Sequence, residues 1–536
     1  MKRKLLSLML ACLMLTGCGG SSSSTGSESG QGSSAVQISS KETDNKNTAS
    51  VQAADFMDVM PVLSIQTESD DKNVLDFVKK PVAEHVTKSR ASWDHGFKAP
   101  VPYYEPCSVS LFDTDGKTLI DSVSAQVKVR GNWTTMYNKK PLRIKFDEKQ
   151  SMLGLNGGAE FKNWLLLAEY KDGSMLRNKA ALAAANEILG EDGLYASDAE
   201  FVEVTINGEY FGVYLLCEYA QINKNRIDIT KPEEGYEGTD IGYFLEYDGY
   251  YYTEDELHSF KTYYNTDAPL TPYDGNGGSN RTGTPLAGGK NNVGFSIKSD
   301  IYSKAQHDFI YHFVDNVYNI MYYAAYENKA YAFDESFSEI HEVSDMTPQE
   351  AVERVVDVNS LADMYIISEL TCDADIYWSS FFMYADFGEG GSKRLTFGNP
   401  WDFDSGLGNK DRCASGEGYY AANIVPDVNG NYRSINPWLA VLMYCDWYTD
   451  IIRDKWTSAY DGGVFTRMID MVRGDTKTYA PAFERNYDKW DNIRHNEAGN
   501  ELCPAAAACK TQEECAEYLA LWLEGRVTFM NECWHK

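Results

Sequence analysis

The sequence predicts an α+β fold, with a β-rich N-terminal lobe and a mainly helical C-terminal lobe. Two observations carry that division. Alternating apolar runs bounded by Gly and Asn turns dominate from about residue 55 to 247, with the two-residue period of half-buried strands. Apolar residues spaced three and four apart take over from residue 303, with the period of helices that bury one face. At 536 residues the chain can bury a large core, and size alone suggests about two to four domains. Its 79 acidic and 49 basic residues give a net charge of -30, which argues against a nucleic-acid groove or an anionic membrane surface.

The first residues read as an export signal. Lys2, Arg3 and Lys4 precede an apolar stretch at 5–15, too short to span a bilayer as a mature helix, and the chain then reaches Gly17-Cys18. This resembles a bacterial lipoprotein signal, in which Cys18 becomes the lipidated first residue. The expected location is therefore the cell envelope, facing outside the cytoplasm and attached to the membrane by lipid alone. Residues 19–54 are rich in Ser, Gly and Thr and have almost nothing to bury. They read as a flexible tether with a reach of about 30 to 35 Å.

Strand signals follow at 59–66, 107–112 and 124–129, with a turn at Asp113 to Gly116. In the run KKPLRIKF, Arg143 and Lys145 share one strand face and Leu142, Ile144 and Phe146 the other. With Arg130, Lys139 and Lys140 they reverse the sign of an otherwise acidic chain. A glycine turn followed by aligned cations is a common grip on phosphate; an exposed strand with solvated cations has the same pattern. A strand at 164–170 leads through Lys171-Asp172-Gly173 into an Ala-rich helix at 174–189, with Ser174 as its expected cap. A hairpin turns at Asn207-Gly208, Glu218 stands just past its second strand, and another strand covers 241–247. Residues 250–292 read as a long surface insertion. Helical patterns cover 303–328 and 348–370, and again nearly everything after Asn436, where Trp456, Phe465, Phe483 and Trp490 are expected in the core.

The acids that attract chemical interest lie late in the chain. In TFGNPWDFDSGLGN, Asp402 and Asp404 are two apart after a short strand, which would aim both carboxylates one way. A divalent metal is the usual answer to such crowding. Upstream, in ELTCDADIYWSSFFMY, Asp373 and Asp375 follow a helix, and Ser380 stands five residues beyond Asp375. An acid at a helix-to-strand turn, a polar oxygen five residues on and a later metal-type carboxylate is the ordering of kinase-like phosphotransferases. Strand-end acids satisfied by turn amides or calcium would look the same. An EF-hand reading of Asp402 and Asp404 fails, because Gly406 stands at the fifth loop position and no Glu at the twelfth.

Eleven cysteines include Cys12 and Cys18. Cys503, Cys509, Cys515 and Cys533 cluster at the end and are expected to form two disulfides in an exported chain, with zinc as the other reading. Cys107, Cys217, Cys372, Cys413 and Cys445 are scattered among apolar residues.

Taken together, RGNWT and KKPLRIKF (130–146), NWLLLAEYKDGSMLRNKAAL (163–182), FVEVTINGEYFGVYLLCEY (201–219), ELTCDADIYWSSFFMY (369–384) and NPWDFD (399–404) resemble, in order, the CotH (spore coat protein H) kinase-like family. The resemblance implies an atypical protein-kinase-like fold that transfers the γ-phosphate of ATP, with Mg or Mn, to Ser or Thr of extracytoplasmic proteins. It makes Asp375 similar to the catalytic-loop acid, with Asp373 competing for that role, and Asp402 similar to the metal-binding acid, with Asp404 as second ligand or support. Lys145 is the candidate phosphate-contacting lysine; Arg130, Lys140 and Arg143 are further nucleotide-binding candidates, and Glu218 orients a cation. The departure is Ser380, a candidate metal position where kinase-like loops commonly place Asn.

The implied organisation is a signal at 1–18, a tether at 19–54, a nucleotide-binding lobe at 55–246, a catalytic lobe at 247–436 and a helical extension with the Cys cluster at 437–536. Two other function classes compete. One is a binding or adhesion protein that keeps the fold without turnover. The other is a carbohydrate-active enzyme with paired acids, against which stand the glycine turns and cations suited to phosphate.

Overall fold

Seven strands close into a barrel because each alternates apolar and polar side chains and each finds a neighbour on both edges. They are β1 (Val62–Thr67), β2 (Glu105–Phe112), β3 (Thr118–Val129), β4 (Leu142–Gln150), β5 (Phe161–Leu167), β6 (Ala199–Ile206) and β7 (Glu209–Glu218). The order around the ring is β1-β2-β3-β4-β5-β7-β6, and β1 closes it by pairing parallel to β6. The computed structural model describes residues 58–68, 103–131, 133–262, 269–275, 284–285, 293–373, 375–423, 425–426, 433–495 and 501–536. The signal, Cys18 and the tether lie outside the described residues, as does much of the 250–292 insertion.

Across β3 and β4, Val127 faces Ile144 and Val129 faces Leu142, while Lys128 faces Arg143. The four apolar residues are buried inside the barrel, so the cations take its outer face, as the alternation requires. The Asn207-Gly208 link has φ values of 51° and 78°, the left-handed pair that a two-residue type I′ hairpin needs. Asn207 Oδ1 also accepts the Thr67 amide at 2.8 Å, pinning the hairpin to β1.

The second sheet is antiparallel, with β8 (Gly242–Asp248) at its centre. It combines β9 (Ser259–Phe260), β12 (Gly294–Ile297), β15 (Phe381–Asp386) and β16 (Thr396–Phe397) in the order β16-β15-β8-β12-β9. Three short pairs complete the described strands, β10 (Pro269–Leu270) with β11 (Thr284–Pro285), β13 (Ala330–Phe333) with β14 (Ile340–Val343), and β17 (Val425–Pro426) with β18 (Arg433–Ser434). β8 therefore pairs with strands far along the chain and not with the barrel that precedes it.

Helix α1 (Arg177–Glu191) begins three residues after the expected Ser174 cap. Leu176 holds the N-cap position, and the helix start is satisfied from Asp172, whose carboxylate accepts the amides of Ser174 at 2.9 Å and Arg177 at 2.8 Å and pairs with the Arg177 guanidinium. Helix α2 (Lys304–Tyr322) carries a capping box made by Ser303 and Gln306. The helical pattern at 348–370 is two helices, α3 (Pro348–Val355) and α4 (Val358–Thr371). The run Val355-Val356-Asp357-Val358 explains the break: β-branched residues lose rotamer freedom in a helix, Val356 bridges to Leu395 instead, and Asp357 caps α4 by accepting the Ser360 amide at 3.3 Å.

The C-terminal part is helical, with α5 (Asp446–Asp461), α6 (Val464–Thr478), α7 (Ala480–Trp490) and α8 (Gln512–Trp534). Trp456 and Phe465 stack at 4.4 Å, and Phe483 is buried. Helix α7 lies on the barrel at Gly212, whose φ is 116° and where a Cβ would stand 2.7 Å from Asn486 Oδ1. Lys139 Nζ donates to that same Oδ1 at 2.9 Å. No described helix is long and apolar enough to cross a membrane. Cys503, Cys509, Cys515 and Cys533 form no disulfide with one another, so the two expected disulfides among them are absent. Cys503 and Cys515 are instead buried in the packing of the C-terminal segment. The zinc reading finds no support either, since no group of three or more His, Cys, Asp or Glu able to hold a metal occurs among the described residues.

Candidate active site

The loop after β16 is clamped from two sides. Asn178 of α1 accepts the Phe403 amide through Oδ1 at 2.8 Å, and the Thr371 carbonyl, at the end of α4, accepts the Leu407 amide at 2.6 Å. Gly406 makes the second contact possible, because a Cβ there would lie 2.7 Å from that carbonyl. Asn399-Pro400 ends the strand before the acids are reached. Asp402 is consequently left-handed, with φ 71°, and Asp404 sits in a short 3-10 turn (Phe403–Ser405). The two carboxylates are neighbours through this compact turn and not, as expected, through the alternation of an extended strand.

Their surroundings differ. Asp404 is buried and pairs with Lys171, whose Nζ lies 3.0 Å from Oδ1 and also donates to Ser405 Oγ at 2.5 Å. Asn409 Nδ2 donates to the Asp404 carbonyl at 2.7 Å. Asp402 is half-buried and, among the described residues, forms neither a hydrogen bond nor an ion pair. Burial pushes its carboxyl up to about 7, with Asp404 and Asp375 adding to the rise and Lys171 and Arg130 opposing it.

Helix α4 ends on Cys372 in the left-handed conformation, which turns the chain sharply into the second acid pair. Asp373 is buried and its Oδ1 accepts the Asp375 amide at 3.1 Å. The Asp375 side chain keeps 27% of its surface and lies 3.2 Å from Arg412 Nη2. Burial alone would raise the Asp375 carboxyl, but Lys410, Arg412 and Lys171 outweigh it and hold it below the usual carboxylate range. Asp373 goes the other way, raised by burial and by Asp375. Of the two, Asp375 is the one whose carboxyl is held down and whose side chain is reachable.

On the barrel side, Arg130 follows β3 and its guanidinium lies 5.8 Å from the Trp401 ring centre. Arg130, Tyr137, Glu169, Lys171, Trp401, Asp402 and Asp404 are among the residues lining one cleft. The remaining candidates sit elsewhere. Lys145 is exposed on β4, between Gln126 and Asn163, outside the cleft lining. Lys140 Nζ donates to the Thr135 and Tyr137 carbonyls. Arg143 donates to Asn163 Oδ1 at 2.8 Å and stacks 4.3 Å from the Tyr219 ring. Glu218 does orient a cation, but it is Arg226, at 2.9 Å in a fully buried pair. Ser380 is turned toward the second sheet, its amide donating to Glu246 Oε1 at 3.0 Å.

The model of the CotH kinase protein family matches residues 127–530. The chain belongs to the CotH kinase family. No curated protein matches it. The family match covers the barrel from β3 onward, both acid pairs and the C-terminal helices, and kinase activity is what it suggests for the chain.

The residue that sequence reasoning missed is Lys171. It reads as a turn residue because Lys-Asp-Gly is a turn signal. Its Nζ nevertheless sits between Asp404 and Ser405 and within electrostatic reach of Asp375 and Asp402. The available signal was its place directly before the helix-capping Asp172, inside the longest family-like run. Arg412, whose Nη2 lies 3.2 Å from Asp375 Oδ1, was also passed over.

Among the described residues no group of three or more His, Cys, Asp or Glu could hold a metal unaided, so a hard ion such as Mg or Mn would need oxygen ligands beyond these side chains. The unpartnered Asp402 carboxylate beside a second acid fits such an ion, with Asp402 as the side chain that would hold it.

Proposed function

We propose that this CotH kinase-family protein transfers the γ-phosphate of ATP to Ser or Thr hydroxyls of extracytoplasmic proteins, and that it does so from the outer face of a membrane, anchored through lipidated Cys18. The observation that carries the reading is an unpartnered Asp402 on the cleft wall within electrostatic reach of Asp375, whose carboxyl is held below the usual range and whose side chain keeps 27% of its surface. In the proposed reaction Asp375 orients the acceptor hydroxyl and takes its proton as the oxygen attacks the γ-phosphorus and the bond to the bridging oxygen breaks. Arg130 offsets negative charge on the nucleotide, and Trp401 and Tyr137 wall the cleft. A divalent ion held by Asp402 would supply neutralisation of the phosphate oxygens. The acidic surface suits basic stretches on the acceptor protein.

The test is incubation of residues 55–536 with labelled ATP and Mg or Mn, beside Asp375→Ala and Asp402→Ala. Label that appears with the parent and is lost in both folded variants supports phosphotransfer; undiminished label in the variants rejects the assignment. One feature favours a second reading, a kinase-fold surface-binding protein without turnover: Ser380 replaces the Asn of kinase-like loops and its amide is engaged by Glu246. That reading expects ATP-independent partner binding that Asp402→Ala leaves intact.

A further inference from the structure

Asp402 and Asp404 stand two apart and share one loop, yet they are not equivalent. The Asp404 carboxylate already has a cation. Lys171 Nζ lies 3.0 Å from its Oδ1, and the two side chains keep only 5% and 9% of their surface. Several contacts lock this pair in place. Ser405 Oγ accepts a second bond from Nζ at 2.5 Å, and Asn409 Nδ2 reaches both the Asp404 carbonyl at 2.7 Å and the Lys171 carbonyl at 3.4 Å. An ammonium so enclosed has no aqueous position to retreat to. A divalent ion on the same carboxylate would face it at contact distance, and like charges in a poorly solvated site repel strongly.

Asp402 is the opposite case, with no hydrogen bond or ion pair among the described residues. No third His, Cys, Asp or Glu joins these acids in a group able to hold a metal unaided, again among the described residues. A hard cation that needs about six oxygens therefore has to draw most of them from outside the protein.

Resting on the phosphotransfer reading above, we infer that Lys171 takes the place of a second divalent ion at Asp404, so that the cleft binds one divalent metal per chain, on Asp402, and only together with the nucleotide's phosphate oxygens. Lys171 acts through Asp404 and is a positioning residue. It fixes the charge of the second acid without a second ion and keeps the metal count at one. The role differs from that of a phosphate-contacting lysine, because its ammonium is committed to a carboxylate and a hydroxyl.

The experiment is Mn²⁺ titration of the full chain followed by electron paramagnetic resonance, with and without a non-hydrolysable ATP analogue. The expected count is one Mn²⁺ per chain with the analogue, and binding at least tenfold weaker without it. Lys171→Met frees Asp404 and is expected to bring the count to two and to tighten nucleotide-free Mn²⁺ binding at least tenfold. Lys171→Arg keeps the charge and keeps the count at one. Because Lys171→Met leaves a buried carboxylate unpaired, the double variant Lys171→Met with Asp404→Asn provides the folded control and is expected to return the count to one. Two Mn²⁺ per parent chain would overturn the inference and leave phosphotransfer standing. Tight nucleotide-free binding by the parent would overturn it as well. A parent that binds neither Mn²⁺ nor the analogue would overturn both readings together.

Discussion

Two carboxylates at the end of α4, the buried Glu369 and the half-buried Asp402, are treated in opposite ways. Glu369 is saturated: Oε1 accepts the Tyr420 amide at 2.7 Å and pairs with Arg526, and Oε2 accepts the Ala421 amide at 2.7 Å. Arg526 directs its other donors to the carbonyls of Glu369, Gly416 and Gly418. Asp402, in the loop pressed against the end of the same helix, has no such partner. A buried carboxylate with both oxygens engaged has little to offer a ligand, and removing one partner strands a charge. A carboxylate left open beside other acids is costly to the fold and retains affinity for a cation. The first arrangement holds α8 and the 416–421 segment against α4; the second is where chemistry can occur.

The largest expected effect breaks the open side of that comparison. Asp402→Asn should lower phosphate transfer about 10² to 10⁴-fold while leaving the thermal midpoint in metal-free buffer unchanged or higher, because a half-buried carboxyl whose ionised form is disfavoured by burial and by Asp404 has been removed. Thermal melting beside the rate measurement decides it. A midpoint several degrees lower would class Asp402 with Glu369 as a structural acid.

The saturated side is expected to behave in reverse. Arg526→Met leaves Glu369 buried and unpaired, which costs about 3 to 5 kcal/mol in comparable pairs, read as a shift in the urea midpoint. Adding Glu369→Leu should recover much of the loss, since replacing both partners by apolar groups avoids the stranded charge. If the single variant loses less than about 1 kcal/mol, the pair is not what ties α8 to α4.

Asp248 is intermediate and sharpens the comparison through pH. It accepts the Tyr250 amide at 2.7 Å and Ser296 Oγ at 2.8 Å, and Lys298 stands 4.0 Å away. Burial, then Glu246, still pushes its carboxyl up to about 7, against the pull of Lys298. The folded state therefore prefers the protonated acid. Its stabilising contribution is complete below pH 4 and is lost as pH rises from about 4 to about 7, with a ceiling of about 4 kcal/mol. Asp248→Asn should flatten the stability profile across that window; chemical unfolding at pH 4, 5.5 and 7 measures it. A slope equal to the parent's would show that the loss arises elsewhere.

Much of this was legible in the sequence, and the part that was not has a physical reason. Periodicity found the barrel strands and the Asn207-Gly208 hairpin, because side-chain alternation and left-handed turn residues are local properties. The motif positions of Asp375 and Asp402 could be marked for the same reason. The pairing of β8 with β15 could not be read, since partners 130 and more residues apart leave no local trace. Nor could the helix break at Val356, which is stabilised by a bridge to Leu395. The same limit applied to charge. Lys145 stood out because it lies in a dense run of cations, whereas Lys171, alone in a turn, acquires its importance only when the loop around Asp404 folds onto it.

The smallest expected effect separates those two lysines. Lys145 projects from the outer face of β4, exposed and outside the lining of the cleft. Removing a solvated cation from such a position changes stability by no more than about 0.5 kcal/mol. Lys145→Ala should accordingly leave KM for ATP within about twofold of the parent, since screening by solvent weakens any action at a distance. Arg130→Ala is the matched contrast, because Arg130 lines the cleft and stacks on Trp401; its KM should rise well beyond that range. Steady-state kinetics on the two variants, side by side, tests the assignment of the cleft. A larger rise for Lys145→Ala than for Arg130→Ala would move the nucleotide to the outer face of β3 and β4, where Lys128 and Arg143 also stand.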